Sequence, residues 1–514
     1  MKLKTLVDNI NYIDIKNGDE KDLENIEISS VEFHSKKVKE GTLFAAIKGY
    51  RVDGHDFIKS AIESGAVAAI VEDFVDEDIV QIKVKNSRMA LAKIASIFYD
   101  EPSKKLKVTG ITASNGKTST AFMTRSIYEA AGYNTGICGT VYTKYADVEI
   151  PSILTTPESK DLQYYFYDMV NKGIDHVIME VSSSAGELSR AYATDFDIVT
   201  FNNLTPEHIV NHGSFERYYH VKSRIIRHAK EESVAILNAD FELINELRNK
   251  TRAQVITYSL KNNSEDISID NLDLSTGFGK FRFIVNRDIK LKDITIKKQS
   301  FDVELKVAGY SSVMNAIVAI TIGLVNGIDV DTIISGIQNF TGVERRFEVI
   351  FDEGFKIVDD HFANKNNIEV TLDTLSKMDY KNLDILYAIR GSRGADLNEE
   401  NAEVIASWFD RLKPREFIVT LSKDTVTWKD EVTDDELEAF KKVMKKHGIK
   451  FILEDNLKEA VEKVIDGAKD RDLVLFAGCQ GMDKAMGIAY DYLIDKNLAS
   501  NPTTLLEKAK SRVC

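Results

Sequence analysis

The chain contains 514 residues, of which 43% are hydrophobic and 29% charged, and its formal net charge is −14. This composition is typical of a globular protein and argues against a mainly disordered chain. The acidic balance excludes a general cationic surface for nucleic acid or an anionic membrane. Because the net charge is negative, an anionic substrate would need a local basic pocket. At about 150 residues per domain, the length predicts three domains.

No targeting or membrane segment is predicted. The N-terminal stretch is interrupted by polar residues from Asp8 onward, before an apolar run of secretory length can form, so we do not expect export. The most apolar stretch, residues 316–325, is well short of the roughly 20 residues that span a bilayer and predicts a buried helix. The three cysteines, Cys138, Cys479 and Cys514, lie far apart in the sequence. Their spacing is neither that of a disulfide framework nor that of a zinc site. A cytoplasmic protein is expected.

The apolar patterns alternate between strand and helix types along the chain. Residues 1–102 contain TLFAAI, FIKSAIESG and AVAAIV and predict a small α/β domain, which the Pro-containing stretch DEPSKK, residues 100–105, separates from the next. From residue 107 the strand patterns KVTGIT, HVIMEVSS, DIVTFNNL and SVAILNAD alternate with helical ones, which predicts a mainly parallel sheet covered by helices. After residue 341 the alternation restarts with KIVDD, LDILYAI, EFIVTL, KFILED and LVLFAG. This predicts a second α/β unit with its own crevice at the strand ends.

The strongest local motif is GITASNGKT, residues 110–118, between a strand pattern and a helix pattern. Backbone N–H groups of such a loop and the Lys117 ammonium can hold phosphate groups, and the Thr118 hydroxyl can reach Mg²⁺. ATP is the expected ligand, bound by Gly110, Asn115, Gly116, Lys117, Thr118 and Ser119. The usual spacing puts a glycine six positions before the lysine, where Ile111 stands.

Further motifs follow downstream: LTTPE at 154–158, MEVSS at 179–183, NLTPEH at 203–208 and HG at 212–213. With the phosphate loop they resemble the Mur ligases, in particular the branch that adds the third amino acid to the peptidoglycan precursor. The resemblance extends through most of the chain, including LFAAIKG at 43–49, DGHDF at 53–57, residues 309–315 and RRFE at 345–348.

The resemblance implies an α/β fold of three domains, with a P-loop-type parallel-sheet ATPase centre and a Rossmann-like C-terminal domain. Residues 1–102 would bind the UDP substrate, 103–340 would bind ATP, and 341–514 would bind the amino acid. It also implies that ATP phosphorylates a carboxylate and that an amine attacks the acyl phosphate to form an amide. Phosphoryl transfer depends on positioning and charge neutralisation.

Residue roles are carried over from the family position by position. Glu180 and His208 join Thr118 as Mg²⁺ ligands, with a buried structural pair as the alternative for Glu180 and His208. Lys222 matches a lysine that CO₂ converts to a carbamate, with an unmodified surface lysine as the alternative. The catalytic residues are then Lys117, Lys222 and His208. The substrate-binding residues are Ser35, Thr155, Thr156, Ser182 and Arg190, with simple capping of strand ends as the alternative for the serines and threonines.

Asn315 and Arg346 resemble nucleotide contacts, the second through bidentate binding of phosphate, with an interdomain salt bridge as the alternative for Arg346. Asp359, Asp360 and His361 fall where the family carries a nucleotide-contacting turn, whose proline is missing here.

The chain departs from the family pattern at several places. Ala113 replaces a phosphate-loop glycine and would strain the loop if that position needs a positive φ. At residues 34–36 this chain has HSK where the family has Asp-Ser-Arg, so only the serine matches. At residues 183–187 it has SSAGE where the family has Ser-Ser-His-Gly-Leu. TLSKD at 420–424 stands where members that add diaminopimelate have Asp-Asn-Pro-Arg, and GCQGMD at 478–483 replaces Gly-Lys-Gly-His-Glu.

These departures predict an amine other than meso-diaminopimelate, such as L-lysine. The distal carboxylate of diaminopimelate calls for a bidentate arginine, whereas Lys423 offers a flexible point charge and Asp424 would favour a cationic side chain. Arg390 or Arg393 is the alternative carboxylate-binding group.

The first functional hypothesis is an ATP-dependent ligase that joins UDP-N-acetylmuramoyl-L-alanyl-D-glutamate to an amino acid, with Mg²⁺ and a carbamylated Lys222. Its partners would be these small molecules, without nucleic acid or a membrane anchor, and we expect a monomer. One alternative is a relative that acts on a different acid, such as a cyanophycin-like or folylpolyglutamate-like substrate. Another is a nucleotide-binding homologue without catalytic activity.

Overall fold

The computed structural model describes residues 1–49, 52–205, 213–342 and 345–510. The chain divides into two compact units. The first comprises Met1–Ser268, Val285–Gln299 and Ile317–Gly336; the second comprises Ile269–Ile284, Ser300–Ala316 and Ile337–Cys514. Each unit combines parallel strands with helices, so the predicted α/β class is confirmed.

The N-terminal part of the first unit contains a five-stranded sheet. Its strands β1 to β5 span Tyr12–Lys16, Ser30–Glu32, Thr42–Ala45, Ala66–Val71 and Val80–Val84. They are ordered β1-β5-β4-β3-β2, and only β1 is antiparallel to its neighbour. The associated helices are Leu3–Val7, Glu20–Asn25, Ile58–Glu63 and Ser87–Phe98. All four residues of β3 are buried, as expected for a parallel strand covered on both faces.

A second sheet of the first unit positions the phosphate loop. Strands β6 to β13 span Lys107–Thr112, Thr135–Cys138, Tyr142–Tyr145, Val148–Pro151, His176–Glu180, Ile198–Phe201, Val234–Asn238 and Gln254–Tyr258. Within the first unit they are ordered β13-β12-β11-β6-β10-β7-β8-β9, and only β8 runs opposite to the others. The carboxyl ends of β6, β10 and β7 therefore lie side by side, at the edge where parallel α/β sheets bind ligands.

Helices connect these strands and follow them. They span Lys117–Ala130, Ser159–Asn171, Ser183–Glu187, Phe215–Lys222, Arg224–Arg227, Glu242–Asn245, Tyr310–Val325 and Val330–Asn339. Strands β14 to β18 span Ile267–Asp273, Phe278–Val285, Ile289–Lys290, Thr295–Ile296 and Gln299–Ala308. The predicted buried helix at 316–325 is confirmed, since Ala316 to Ile320 are inaccessible to solvent. Among the described helices, none has the length and apolar character needed to cross a bilayer.

The second unit contains a six-stranded sheet. Its strands β19 to β24 span Glu348–Glu353, Phe355–His361, Leu383–Ala388, Glu416–Thr420, Ile452–Glu454 and Leu473–Gly478. They are ordered β19-β20-β24-β21-β22-β23, with β19 antiparallel and the others parallel. Its helices are Lys365–Leu375, Ala395–Ser407, Phe409–Leu412, Asp434–Lys446, Leu457–Gly467, Ala485–Asp495 and Pro502–Lys510.

Candidate functional site

The phosphate loop occupies four residues between the end of β6 and the helix that begins at Lys117. Gly116 has a φ of 84°, a left-handed conformation that a glycine adopts without strain. Ala113 is absent from the described residues with positive φ, so the strain expected from this alanine does not arise. The departure from the family pattern at Ala113 is therefore compatible with the loop geometry.

Asn203, in the segment after β11, holds this loop in place. Its side-chain oxygen accepts from the Asn115 N–H at 2.9 Å, and its amide nitrogen donates to the Asn115 carbonyl at 2.9 Å. The Ser114 N–H donates to the Asn203 carbonyl at 3.1 Å, and the Ser114 hydroxyl lies 3.0 Å from the Tyr218 hydroxyl. These bonds keep the loop at the start of the helix, where backbone N–H groups and the helix dipole favour an anion.

Lys117 folds back over the loop that precedes it. Its Nζ donates to the carbonyls of Ala113 and Ser114, at 2.9 and 3.0 Å. Thr118 and Ser119 are partly buried in the first helical turn. Gly110, by contrast, lies inside β6, where a side chain would meet Phe196 at 2.6 Å. The structure therefore gives Gly110 a packing role in the strand and places it outside the loop.

Glu180, the last residue of β10, is fully buried beside the loop. Its Oε2 accepts from the hydroxyls of Thr118 and Thr140, at 2.9 and 3.0 Å, and its Oε1 accepts from the Thr140 N–H at 2.8 Å. Within the part of the chain that the structure describes, Glu180 forms no ion pair. Buried charges are usually paired or bound to metals, and carboxylate and hydroxyl oxygens suit Mg²⁺. Thr118 and Glu180 therefore fit a magnesium site.

His208, the third predicted Mg²⁺ ligand, lies outside the described residues. Among the residues that are described, no three His, Cys, Asp or Glu side chains form a metal-binding group. The described part of the predicted site thus consists of the Thr118 and Glu180 oxygens.

Lys222 ends the helix Phe215–Lys222 and is 3% exposed. Its Nζ donates to the Ala113 carbonyl at 2.5 Å and lies 5.1 Å from the centre of the Tyr218 ring. The alternative of a surface lysine is therefore wrong. Lys117 and Lys222, which are far apart in sequence, both donate to the same carbonyl of the phosphate loop.

A pocket of about 350 Å³ opens beside these lysines. It is lined by Ser114, Lys117, Ile153, Leu154, Thr155, Ser182, Ser183, Ser184, Arg190, Tyr218 and Lys222. Three of the predicted substrate-binding residues, Thr155, Ser182 and Arg190, are thus brought together with both lysines. Thr156 is fully buried behind them, and its hydroxyl donates to the Glu180 carbonyl at 2.8 Å and accepts from the Ser182 N–H at 3.1 Å.

Among the predicted site residues that do not line this pocket are Ser35, Asn315 and Arg346. Ser35 begins the short 3₁₀ helix Ser35–Lys37 near the N-terminal sheet. Asn315 and Arg346 belong to the second compact unit, where Asn315 is 3% exposed within the helix Tyr310–Val325.

Arg345 and Arg346 differ sharply in environment. Arg345 is 4% exposed and pairs with Asp359 at 3.3 Å and with Asp483. It also donates to the carbonyls of Gly478 and Cys479. Arg346 is exposed and forms no ion pair with any described residue. No ion pair with a described residue supports the salt-bridge alternative for Arg346, and Arg345 provides the buried ion pairs of the second unit.

We expect Arg345→Met to lower the free energy of unfolding of the second unit by about 3 kcal/mol, because it leaves the buried Asp359 without its cationic partner. Arg346→Met is the matched control and should leave melting unchanged, since its side chain is exposed. Thermal melting of both variants measures the difference. Equal melting temperatures would contradict the assignment of the structural role to Arg345.

His361, at the end of β20, is predicted to make the second unit sensitive to acid. Burial, with Arg346, Arg345 and Arg390 nearby, lowers the pKa of His361 from 6.5 to about 3. The unfolded imidazole therefore binds a proton at a higher pH than the folded one does, so stability falls as pH drops from 6.5 towards 3. In His361→Gln, the loss of melting temperature between about pH 7 and pH 5 should be smaller than in the wild type. Parallel losses would rule out this contribution.

The two charged residues of segment 420–424 bond to neighbouring parts of the second unit. The Asp424 carboxylate accepts from the N–H groups of Leu457 and Lys458, at 2.7 and 3.1 Å, and so caps the helix Leu457–Gly467. The Lys423 ammonium pairs with Asp455 at 3.0 Å. These bonds give Asp424 a helix-capping role, and its expected selection of a cationic amine stays a prediction.

The two arginines considered as alternative carboxylate-binding groups also differ. Arg393 pairs with Asp430 at 2.9 Å. Arg390 donates through Nη1 to the Ala363 carbonyl at 2.6 Å, while its buried Nε makes no hydrogen bond to a described residue. Of the two, Arg390 has the less satisfied guanidinium group.

Sequence reasoning missed Thr140, which gives Glu180 two hydrogen bonds, and Asn203, which fixes the loop. Gly139 offered a signal, because a side chain there would collide with the Glu180 carboxylate. That collision depends on the adjacency of β7 and β10 and so cannot be read from local sequence.

Family models cover most of the chain. The Mur ligase family catalytic domain matches residues 27–99, the Mur ligase middle domain matches 111–323, and the Mur ligase glutamate ligase domain matches 345–480. The UDP-N-acetylmuramoyl-L-alanyl-D-glutamate–2,6-diaminopimelate ligase of Bacillus cereus is 33% identical over 462 residues, which cover 88% of this chain and 89% of that protein.

Two solved structures share the fold. A structure of a UDP-N-acetylmuramoyl-L-alanyl-D-glutamate–2,6-diaminopimelate ligase aligns with a TM-score of 0.68 at 21% identity, over 91% of this chain and 95% of that one. The MurF ligase of Thermotoga maritima in complex with ADP aligns with a TM-score of 0.61 at 22% identity, over 92% of this chain and 99% of that one.

Proposed function

Because the chain belongs to the Mur ligase family, we propose that it joins UDP-N-acetylmuramoyl-L-alanyl-D-glutamate to an amino acid in peptidoglycan synthesis, using ATP and an acyl phosphate. The observation that carries this proposal is the convergence of three charged side chains beside the pocket: Lys117 and Lys222 bond the phosphate loop, and Glu180 bonds Thr118 in the first helical turn after it. Phosphoryl transfer requires this combination of cations, backbone donors and metal-binding oxygens.

Gly116, Thr118 and Ser119 would hold the nucleotide phosphates through backbone N–H groups at the start of the helix, with Asn115 beside them. The N–H groups of Ser114 and Asn115 already donate to Asn203. Lys117 would leave the loop carbonyls and neutralise negative charge on the transferred phosphoryl group. Mg²⁺, when bound, would withdraw charge from phosphate oxygens. Thr118 and Glu180 would hold it, and His208 is proposed as the third ligand.

We also propose that Lys222 is carbamylated in the active enzyme. The neutral Nζ amine would attack the carbon of CO₂, forming an N–C bond and releasing one proton to solvent. The product would replace a buried cation by an anion that can face Mg²⁺. A carbon-13 carbamate resonance after incubation with labelled bicarbonate, present in the wild type and absent in Lys222→Ala, would support the modification. Full activity of Lys222→Ala would overturn it.

We propose that the acid substrate binds in the pocket. Thr155, Ser182 and Arg190 line it, and Thr156 orients the Ser182 backbone from behind. Ser35 would contact the UDP end of the substrate, while Asn315 and Arg346 would contact the nucleotide. We propose the functional division 1–102, 103–340 and 341–514 for UDP substrate, ATP and amino acid, in a cytoplasmic monomer.

A second candidate is a family member that acts on a different carboxylic acid. It is favoured by the altered turn at Ser183–Glu187, since Ser183 and the exposed Ser184 line the pocket. A homologue without catalysis is disfavoured because the phosphate loop with Ala113 keeps an unstrained geometry.

An ADP-release assay with matched acids and amines tests the proposal. We expect turnover with UDP-N-acetylmuramoyl-L-alanyl-D-glutamate only when an amino acid is added. Glutamyl-folate and aspartate-polymer acids serve as competing substrates. Turnover with a glutamyl-folate or aspartate-polymer acid, but not with the UDP substrate, would favour the second candidate. Absence of turnover with every acid would favour a homologue without catalysis.

The same assay tests the amine. We predict that L-lysine is used in preference to meso-diaminopimelate, because Arg393 is engaged by Asp430 and segment 420–424 contains no arginine. Amide product is measured with each amine at equal concentration. A clear preference for meso-diaminopimelate would contradict the prediction and direct attention to Arg390.

A further inference from the structure

Glu158 lies between two arginines in the first unit. Its Oε1 accepts from Arg190 Nε at 3.0 Å, and its Oε2 accepts from Arg88 Nη1 at 3.1 Å. The side chains of Arg190, Glu158 and Arg88 are only 9, 17 and 19% exposed. Solvent therefore screens these charges less than in a surface ion pair, and a fixed geometry is favoured.

The Arg190 end of this chain of charges reaches the pocket. Arg190 lines the pocket and also donates through Nη1 to the Thr156 carbonyl at 3.3 Å. Its guanidinium group is thus held by a carboxylate at Nε and by a carbonyl at Nη1. Nη2 donates no hydrogen bond to a described residue, which leaves that nitrogen as a donor for a ligand.

The Arg88 end begins elsewhere in the fold. Arg88 lies in the first turn of the helix Ser87–Phe98, which accompanies the N-terminal sheet, and it does not line the pocket. Glu158 directly precedes the helix Ser159–Asn171. The three charges therefore link the N-terminal sheet region to a pocket arginine.

We propose that Arg88 is a positioning residue for the acid substrate: through Glu158 it holds Arg190 in the orientation that binds the substrate anion. The inference rests on the proposed function, in which Arg190 contacts the acid. With Arg88 removed, Glu158 keeps one partner, its carboxylate is free to rotate, and the Arg190 guanidinium moves with it. The loss falls on substrate binding because Arg88 touches neither the phosphate loop nor the lysines.

A neighbouring ion pair provides a matched control. Lys160 pairs with Glu32 at 2.7 Å, and their side chains are 13 and 10% exposed. This pair joins the same two regions of the first unit, since Lys160 lies in the helix that follows Glu158 and Glu32 ends β2. It does not contact Arg190. A general loosening of these regions should therefore appear equally in Arg88→Met and Lys160→Met.

Steady-state kinetics of the full chain test the proposal. Arg88→Met should raise the KM for the acid about tenfold, with kcat and the KM for ATP within about twofold of wild type. Arg88→Lys should recover part of the loss, and Lys160→Met should leave the KM for the acid unchanged. Equal KM values in Arg88→Met and wild type, or equal increases in Arg88→Met and Lys160→Met, would overturn it.

Hydrogen–deuterium exchange of the ligand-free protein provides a readout that does not require turnover. We expect faster exchange at residues 183–191 in Arg88→Met and wild-type exchange in Lys160→Met. Unchanged exchange in Arg88→Met would overturn the positioning role. A wild-type protein that is inactive with the UDP substrate would instead contradict the proposed function, so the two failures are distinguishable.

Discussion

Lys117→Ala is expected to lower kcat by about 10² to 10³, the loss measured when one preorganised donor to a developing charge is removed. In the structure the Lys117 ammonium already lies over the loop, bonded to the carbonyls of Ala113 and Ser114. It can move from these acceptors to a phosphoryl group without reorganising the helix. Water that replaces the side chain would supply weaker and less oriented stabilisation.

The measurement is ATP turnover with acid and amine at saturation. Lys107→Ala is a suitable control. Lys107 begins β6, the strand before the phosphate loop, but its side chain is 66% exposed and pairs with Asp197 on the surface. Its turnover should match the wild type. Retention of wild-type turnover and ATP affinity by Lys117→Ala would refute the phosphate-loop assignment.

Glu180→Gln is expected to lower kcat by a comparable factor, about 10² to 10³, and to raise the Mg²⁺ concentration needed for half-maximal activity. The substitution preserves size but removes the charge, and the amide NH₂ would face the hydroxyls of Thr118 and Thr140, which now donate to Glu180. A hard cation would lose its anionic oxygen ligand.

Two further variants separate metal binding from folding. Glu180→Asp keeps the charge on a shorter side chain and should recover activity in part at high Mg²⁺. Glu149→Gln, at a surface position paired with Lys144, should behave as wild type. If Glu180→Gln shows the wild-type Mg²⁺ dependence while its melting temperature falls, Glu180 is a structural residue.

Much of the fold was predictable from local sequence. KVTGIT coincides with β6, and Lys117 begins the following helix as the motif predicts. The reason is that strand and helix periodicities, and the left-handed glycine of a phosphate loop, are properties of a few consecutive residues. The family models and the relatives confirm the Mur ligase resemblance. It was recognisable from sequence because its motifs are short segments of fixed spacing.

Side-chain environments were predicted less well. The helix cap that Asp424 forms was not predicted, and Arg345 rather than Arg346 forms the buried ion pairs. In both cases the charge was correct and its partner was unknown, because the partner comes from another strand or helix. The strain expected at Ala113 is likewise absent, since the positive φ belongs to Gly116.

The amino-acid sequence by itself determined the α/β class, the phosphate loop and the family of this protein, because these depend on local periodicity and motif spacing. Only the tertiary structure decided that Lys222 and Lys117 share the Ala113 carbonyl, that Thr140 supports Glu180, and that Arg88 reaches Arg190 through Glu158. These contacts join residues far apart in sequence. They arise from the order of parallel strands, whose neighbours are set by packing of the whole sheet.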